Sequence, residues 1–353
     1  MNQNKTKKHL KKHKQLTLKS YKKKSVYKRQ NNYFQNAVVD AHLHIRPFGG
    51  RPIEFMKMIK ILNKSGILFA QIEGIGQRLP IDSKCDYYLG CPINLHPSMI
   101  NDIINAQLVF DNNLFNIDGV KVNLSMTFPD LSKPDEVVKG IKYLELEFPN
   151  LFNWMGEVNV AKQALFKHGL TAVKMDIIPK WSKFMKMLRN KHMPISIHLD
   201  LGNDKNQTQF LPLLHEILRL YPNNIIVWMH MGLSKELTKI NAKEHTEILS
   251  NLFSKYKNFY VDISWRILYD NMFSKPDKKQ YYIDLMNKWP TRFLTGTDFV
   301  ASFTKTEKVY KEELRITSLI TNELNDKAFR QIALGQNYLD ITRSKYKAPE
   351  VIS

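Results

Sequence analysis

The sequence predicts an α/β fold, a (β/α)8 TIM barrel, on three observations: eight short apolar runs of strand length, segments with a helical apolar period between them, and metal-binding residue types at the carboxyl ends of several runs. At 353 residues the chain is long enough for such a barrel, which takes about 250 residues or more. Its 43% hydrophobic and 24% charged residues fit a globular protein with a large buried core and exclude a wholly disordered chain.

The apolar runs cover residues 37–45, 67–73, 120–128, 154–160, 194–199, 224–230, 259–264 and 292–298, and eight is the strand number of the barrel. Between the fifth and sixth runs Leu211, Leu214, Ile217 and Leu218 recur at helical spacing until Tyr221 and Pro222 stop the segment. Helical segments are likewise predicted over 236–256, 278–289 and 306–320, and over 326–334 up to Gly335. Residues 74–119 break the rhythm with a long polar loop holding Pro80, Cys85, Cys91 and Pro92, followed by a helix near 97–106. That stretch reads as an insertion without a strand, placed to cap the barrel mouth. A doubly wound open sheet shares the same alternation and is the structural alternative.

The formal net charge of +20 resembles a nucleic-acid signal until it is located. Twelve Lys and Arg fall within residues 1–30, which hold no Asp or Glu, and the rest of the chain carries only +8. A block of like charge repels itself, so a disordered Lys-rich tail is expected over 1–32, the barrel over 33–345 and a short C-terminal tail over 346–353. Between Lys5 and Arg29 only Tyr21 and Tyr27 interleave with the charge, so contact with nucleic acid is expected through the tail alone. The sequence has neither an export signal nor an apolar run of membrane-spanning length, which predicts a cytoplasmic protein with no membrane partner. Cys85 and Cys91 are too few for a disulfide framework or a zinc site and read as loop thiols.

The strongest local signal is Val38-Val39-Asp40-Ala41-His42-Leu43-His44-Ile45. Side chains two apart on a strand share a face, so His42 and His44 can reach one ion, and Asp40 is placed to orient a ligand from behind. Glu157, His198, His230 and Asp298 each close another apolar run. Burying such groups is costly without a partner or a metal, and in a barrel these strand ends converge on one mouth. Four histidines with carboxylates are what a divalent ion, zinc first, requires. Such an ion makes hydroxide available near neutral pH, with Asp298 as the base that takes the proton. Two arrangements are open for His230: polarising the scissile group, or holding a second ion with Glu157 as the bridge.

The His-x-His strand, the later histidines on separate runs and the closing Gly296-Thr297-Asp298 resemble the amidohydrolase superfamily, most of all its amidohydrolase-related branch. The resemblance runs from about Val38 to Ile341 and takes in Val261-Asp262-Ile263-Ser264-Trp265 and Gly335-Gln336-Asn337-Tyr338. It implies a metal held by His42, His44, His198 and Asp298, with His230 as a ligand or catalytic residue. Where many binuclear members carry a carboxylated lysine, this chain has Glu157, which is similar to the glutamate-bridged members. The implied activity is hydrolysis of an amide, ester or lactone bond. The same ligands also serve decarboxylases of that branch, which is the alternative.

Arg78, Lys235 and Arg266 follow strand ends and point to a small, anionic substrate clamped by a guanidinium. Gly49-Gly50 and Gly74-Ile75-Gly76 are too short for a nucleotide fingerprint, so no organic cofactor is expected. A polyanion-binding protein that works through its basic tail is the third reading. Homo-oligomers are common for barrels, and nothing in the sequence marks an interface.

Overall fold

The computed structural model describes residues 16–22, 25–29, 37–47, 51–80, 82–85, 93–114 and 119–352. A short helix α1 (Leu18–Lys22) and strand β1 (Val26–Lys28) precede the barrel. Then follow β2 (Val39–His44), α2 (Phe55–Lys64), β3 (Phe69–Glu73), the hairpin β4 (Gln77–Arg78) and β5 (His96–Pro97), α3 (Ile100–Asp111), β6 (Lys121–Met126), α4 (Pro134–Glu147) and β7 (Phe152–Ala161). The second half holds α5 (Ser182–Asn190), β8 (Ile195–Leu199), α6 (Leu211–Leu220), β9 (Ile226–Trp228), α7 (Ala242–Lys255), β10 (Phe259–Asp262), the short α8 (Arg266–Leu268) and α9 (Pro276–Lys288). It closes with β11 (Phe293–Leu294), β12 (Phe299–Val300), α10 (Glu307–Leu319), α11 (Asp326–Ile332), α12 (Gln336–Ile341) and β13 (Glu350–Ile352).

The central sheet is wholly parallel, in the order β11-β10-β9-β8-β7-β6-β3-β2-β12. Its two end strands belong to one stretch of chain, residues 293–300, which pairs with β10 on one side and β2 on the other. Ala41 N donates to Thr295 O at 3.0 Å and Asp298 N to His42 O at 2.9 Å, so the sheet closes on itself as a (β/α)8 barrel. Every one of the eight predicted runs holds barrel strand, the eighth being split around Thr295–Asp298.

Local chemistry sets where the helices begin. Glu54 caps α2 by accepting from Met56 N at 2.8 Å and Lys57 N at 2.6 Å, and Asn241 and Asn325 cap α7 and α11 in the same way. Proline opens α4 and α9, where its missing N–H costs nothing. The helices bury their apolar stripes against the sheet, and Trp154, Trp181 and Trp228 are fully buried between the layers. Among the described residues no helix is long and apolar enough to cross a membrane.

Three expectations are corrected. Within the basic N-terminal segment, residues 16–22 and 25–29 are packed: Tyr21 is buried, its hydroxyl donates to Leu334 O at 3.0 Å, and β1 pairs in parallel with β13. The same pairing gives the C-terminal segment structure, with Tyr346 and Ala348 buried. Tyr21 and Tyr27 offer packing surface that the charge density of the segment concealed, while residues 1–15 lie outside the described residues. The insertion after β3 holds a two-stranded antiparallel hairpin, β4 with β5, beside the expected helix. Cys85 is disulfide-bonded, so it is not a loop thiol; Cys91 lies outside the described residues.

Candidate metal centre

The parallel strands open their carboxyl ends on one face, and the chemistry gathers there. His42 and His44 stand on β2, Glu73 ends β3, Glu157 lies on β7, His198 on β8 and His230 just past β9. Asp262 ends β10, and Asp298 sits in the turn between β11 and β12. Except for Asp298, whose side chain is 17% exposed, these groups are essentially buried.

Each imidazole points one nitrogen inward and has the other tied down. His42 Nε2 lies 3.1 Å from His44 Nε2, while His42 Nδ1 meets Asp262 Oδ2 at 2.9 Å and Ser264 Oγ at 3.0 Å. His44 Nδ1 donates to Gly74 O at 2.7 Å. His198 turns Nδ1 to Glu157 Oε1 and gives Nε2 to Asp200 Oδ1 at 3.1 Å. His230 faces Glu157 Oε1 with Nε2 at 3.7 Å, and its Nδ1 meets Ser264 Oγ at 3.0 Å. A ring held from behind has its tautomer and orientation set before any ion arrives.

The carboxylates complete the ring of donors. Asp298 Oδ1 lies 3.5 Å from His42 Nε2 and 3.4 Å from His44 Nε2, and Glu157 Oε2 is 3.7 Å from His44 Nε2. Glu73 Oε2 is 3.6 Å from His42 Nε2 and accepts from Glu157 N at 2.8 Å. Lys162 Nζ reaches Glu157 Oε2 at 3.2 Å. Burial pushes Asp298 up, but the neighbouring His42, His44 and His230 outweigh it and hold this carboxylate well below its usual range. Burial likewise opposes the charge on Glu157, and Lys162 and His198 overcome it. For His42, burial pulls the ring down while Glu73, Asp298 and Asp262 together hold it well above its ordinary value. The field of this mouth therefore draws positive charge, whether a proton or a metal cation.

The donor set fits a divalent ion. Three groups, His42/His44/Glu73, His42/His230/Asp298 and Glu157/His198/His230, each bring their ligand atoms within 4.8 Å of one another. Donors bound tetrahedrally at about 2.0–2.2 Å lie roughly 3.3–3.6 Å apart, and the separations around His42 and His44, 3.1 to 3.6 Å, match that spacing.

The turn that carries Asp298 is built for close approach. Asp298 has a φ of 54°, a conformation that non-glycine residues reach only when the surroundings enforce it. Asp40 enforces it by accepting from Thr297 N at 2.9 Å, Thr297 Oγ1 at 2.8 Å and Tyr310 Oη at 3.0 Å. Its buried carboxylate thus positions the Asp298 turn, not a histidine ring. His230 (φ 54°, ψ 21°) and Trp265 (φ 72°, ψ 122°) also have positive φ, in different regions of backbone space.

All six residues predicted at strand ends, His42, His44, Glu157, His198, His230 and Asp298, converge on this mouth. Arg78 is exposed on the β4–β5 hairpin with no ion-pair partner among the described residues, and its charge together with burial lowers Arg46, which is half-buried two residues past His44. Lys235 is exposed, with Nζ 6.0 Å from the centre of the Trp265 ring, which itself packs 4.9 Å from the His230 ring. Arg266 is exposed and paired with Asp270 at 3.4 Å and Glu313 at 3.7 Å. Sequence reasoning missed Glu73, Asp200, Asp262, Ser264, Lys162 and Arg46. Glu73 carried the same signal as the chosen residues, an acid at the end of an apolar run, while Asp262 and Ser264 stood in the Val261–Trp265 motif without a role assigned to them. Beside the centre, a cavity of about 170 Å³ is lined by Gln77, Leu95, Asn159, Lys162, Leu165 and Phe166 among others. The Oδ1 of its lining residue Asn159 is buried and has no hydrogen-bond partner among the described residues.

No protein-family model and no curated protein sequence matches the chain. Solved structures share its fold. An amidohydrolase from Burkholderia multivorans with bound zinc is similar at a TM-score of 0.54 and 9% identity, over 87% of this chain and 99% of that one. A putative 2-pyrone-4,6-dicarboxylic acid hydrolase from Pseudomonas putida aligns at 0.53 and 10% identity, over 87% and 97%. A dihydroorotase from Campylobacter jejuni aligns at 0.51 and 15% identity, over 89% and 87%.

Proposed function

We propose that this chain is a metal-dependent hydrolase of the amidohydrolase superfamily that opens an amide, ester or lactone bond in a small anionic substrate. The observation that carries the reading is the mouth itself: four imidazoles, each with one nitrogen turned inward and the other tied from behind, among buried carboxyl groups of which Asp298, Glu157 and Asp262 are held below their usual range. The shared fold with an amidohydrolase with bound zinc, a putative 2-pyrone-4,6-dicarboxylic acid hydrolase and a dihydroorotase supports it.

His42 and His44, with Asp298 Oδ1 3.4–3.5 Å from their inward nitrogens, would hold one divalent ion, zinc first, and Glu157, His198 and His230 form a second donor group. A bound ion of this kind supplies a water that is deprotonated near neutral pH. Asp298, the most exposed member of the cluster, accepts the proton of the attacking water and returns it to the leaving nitrogen or oxygen. His230 is held by Ser264 and directed at Glu157, an arrangement that favours a ligand role over a free acid. Arg46, Arg78 and Lys235 would be the cations to receive a substrate carboxylate, since Arg266 is already paired. The cavity at Lys162 and Asn159 would take the rest of a molecule of that size.

Elemental analysis of the purified protein, with a His42→Ala/His44→Ala variant beside it, tests the metal. Wild type should retain zinc or another divalent ion, and the variant should lose at least one equivalent. A panel of lactones, cyclic amides and carboxylated rings, read by product mass, separates hydrolysis from release of carbon dioxide. A wild-type protein that binds no divalent ion under any loading would end the proposal.

A further inference from the structure

The chemistry of Glu73 is only half accounted for by the donor set that the sequence points to. It ends the second barrel strand with its side chain 0% exposed, beside His42 and His44. One oxygen, Oε2, accepts from Glu157 N at 2.8 Å and lies 3.6 Å from His42 Nε2. The other, Oε1, is buried and has no hydrogen-bond partner among the described residues. A buried carboxyl group with an orphaned oxygen stays ionised only where a cation meets it, and otherwise takes up a proton.

Its neighbours are better provided for. Glu157 has the Lys162 ammonium at 3.2 Å and His198 on its other oxygen. Asp262 is used by His42 Nδ1, by Ser264 Oγ at 2.5 Å and by His230 N. Asp40 is used by Thr297 and Tyr310. Among the described residues no Lys or Arg forms an ion pair with Glu73, and the one ion-pair contact it has is with His42.

We propose that Glu73 is itself a ligand, the carboxylate that joins His42 and His44 around one ion, so that the fourth tetrahedral position stays open for water and Asp298 stands beside it as the proton acceptor. This rests on the mouth being a metal centre and adds a donor from a strand the sequence reading left out. Its separation from His42 Nε2 suits two donors of a single tetrahedral ion, whose bonds of about 2.0–2.2 Å set donors roughly 3.3–3.6 Å apart. With Glu73 in that set, Glu157 is left to His198 and His230. The two triads His42/His44/Glu73 and Glu157/His198/His230 then share no residue.

The test is zinc affinity, measured by competition with a chelating dye on metal-stripped full-length protein, for wild type and Glu73→Gln. Glutamine keeps an oxygen for Glu157 N, so a residue that merely positions Glu157 would leave the affinity unchanged, and that result overturns the proposal. A ligand role predicts at least tenfold weaker zinc at one subsite and a changed visible spectrum with cobalt in place of zinc. Should Glu73→Gln fail to fold, a crystal structure of zinc-loaded wild type with anomalous data decides. A Glu73 oxygen at bonding distance supports the assignment, and one beyond about 3 Å refutes it. Wild type that takes up no zinc would instead strike at the metal centre as a whole.

Discussion

His245 on α7 illustrates how a single buried side chain writes pH dependence into the fold. It is fully buried, meets Tyr282 Oη with Nδ1 at 2.8 Å and Met231 O with Nε2 at 2.9 Å, and burial pushes its pKa down to about 4. The unfolded chain takes up a proton near the ordinary value of about 6.5, which the native state refuses until about pH 4. Its stabilisation is therefore whole above pH 6.5 and is lost as pH falls through the window down to 4. A gap of that size is worth about 3 kcal/mol. Denaturant unfolding at pH 7 and pH 4.5 should show wild type losing more stability than His245→Gln, and parallel losses in the two proteins would contradict this. Gly296 gives a second residue-level expectation. A Cβ there would stand 2.8 Å from His42 Cβ and 2.9 Å from His42 N. Gly296→Ala should displace the His-x-His strand and weaken zinc binding tenfold or more while the far-UV circular dichroism stays unchanged.

At the scale of elements, the N-terminal clasp and the split eighth strand separate what a local pattern can and cannot reveal. Tyr21 packs edge-on against Phe69 with ring centres 5.3 Å apart, Tyr27 stacks on Phe329 at 6.1 Å, and Arg29 hydrogen-bonds Leu324 O and Asn322 O. Deleting residues 1–15 removes none of these contacts and should leave the melting temperature unchanged. Deleting residues 1–29 exposes Phe69 and Phe329 and should cost roughly 2–4 kcal/mol. Equal melting temperatures for the two truncations would show that the clasp contributes nothing. The clasp escaped the sequence reading because β1 pairs with β13 more than 300 residues away, and a three-residue strand has no period of its own. The barrel strands were legible because each is a buried apolar run bounded by polar punctuation. The eighth run, read over 292–298, stopped short of β12 (Phe299–Val300), and the interruption at Thr295–Asp298 depends on Asp40, from the first barrel strand, holding Thr297.

For the molecule as a whole, the metal reading makes stability a function of the ion. An ion that binds only the native state adds about 2.7 kcal/mol when present at a hundredfold excess over its Kd. Chelation should therefore lower the melting temperature by several degrees without unfolding the barrel at room temperature, and added zinc should restore it. A melting temperature indifferent to both treatments would tell against a site spanning so many strands. By itself the sequence determined the fold class and six of the residues at the mouth, because apolar period and strand-end position are local properties that any folded barrel must respect. Tertiary structure decided which nitrogen of each ring faces inward, that Glu73 joins His42 and His44, and that Arg266 is occupied by Glu313. Those facts depend on distances between residues far apart in the chain, such as His42 and Asp262 or Glu157 and His198. Only closure of the parallel sheet brings such residues within reach of one ion.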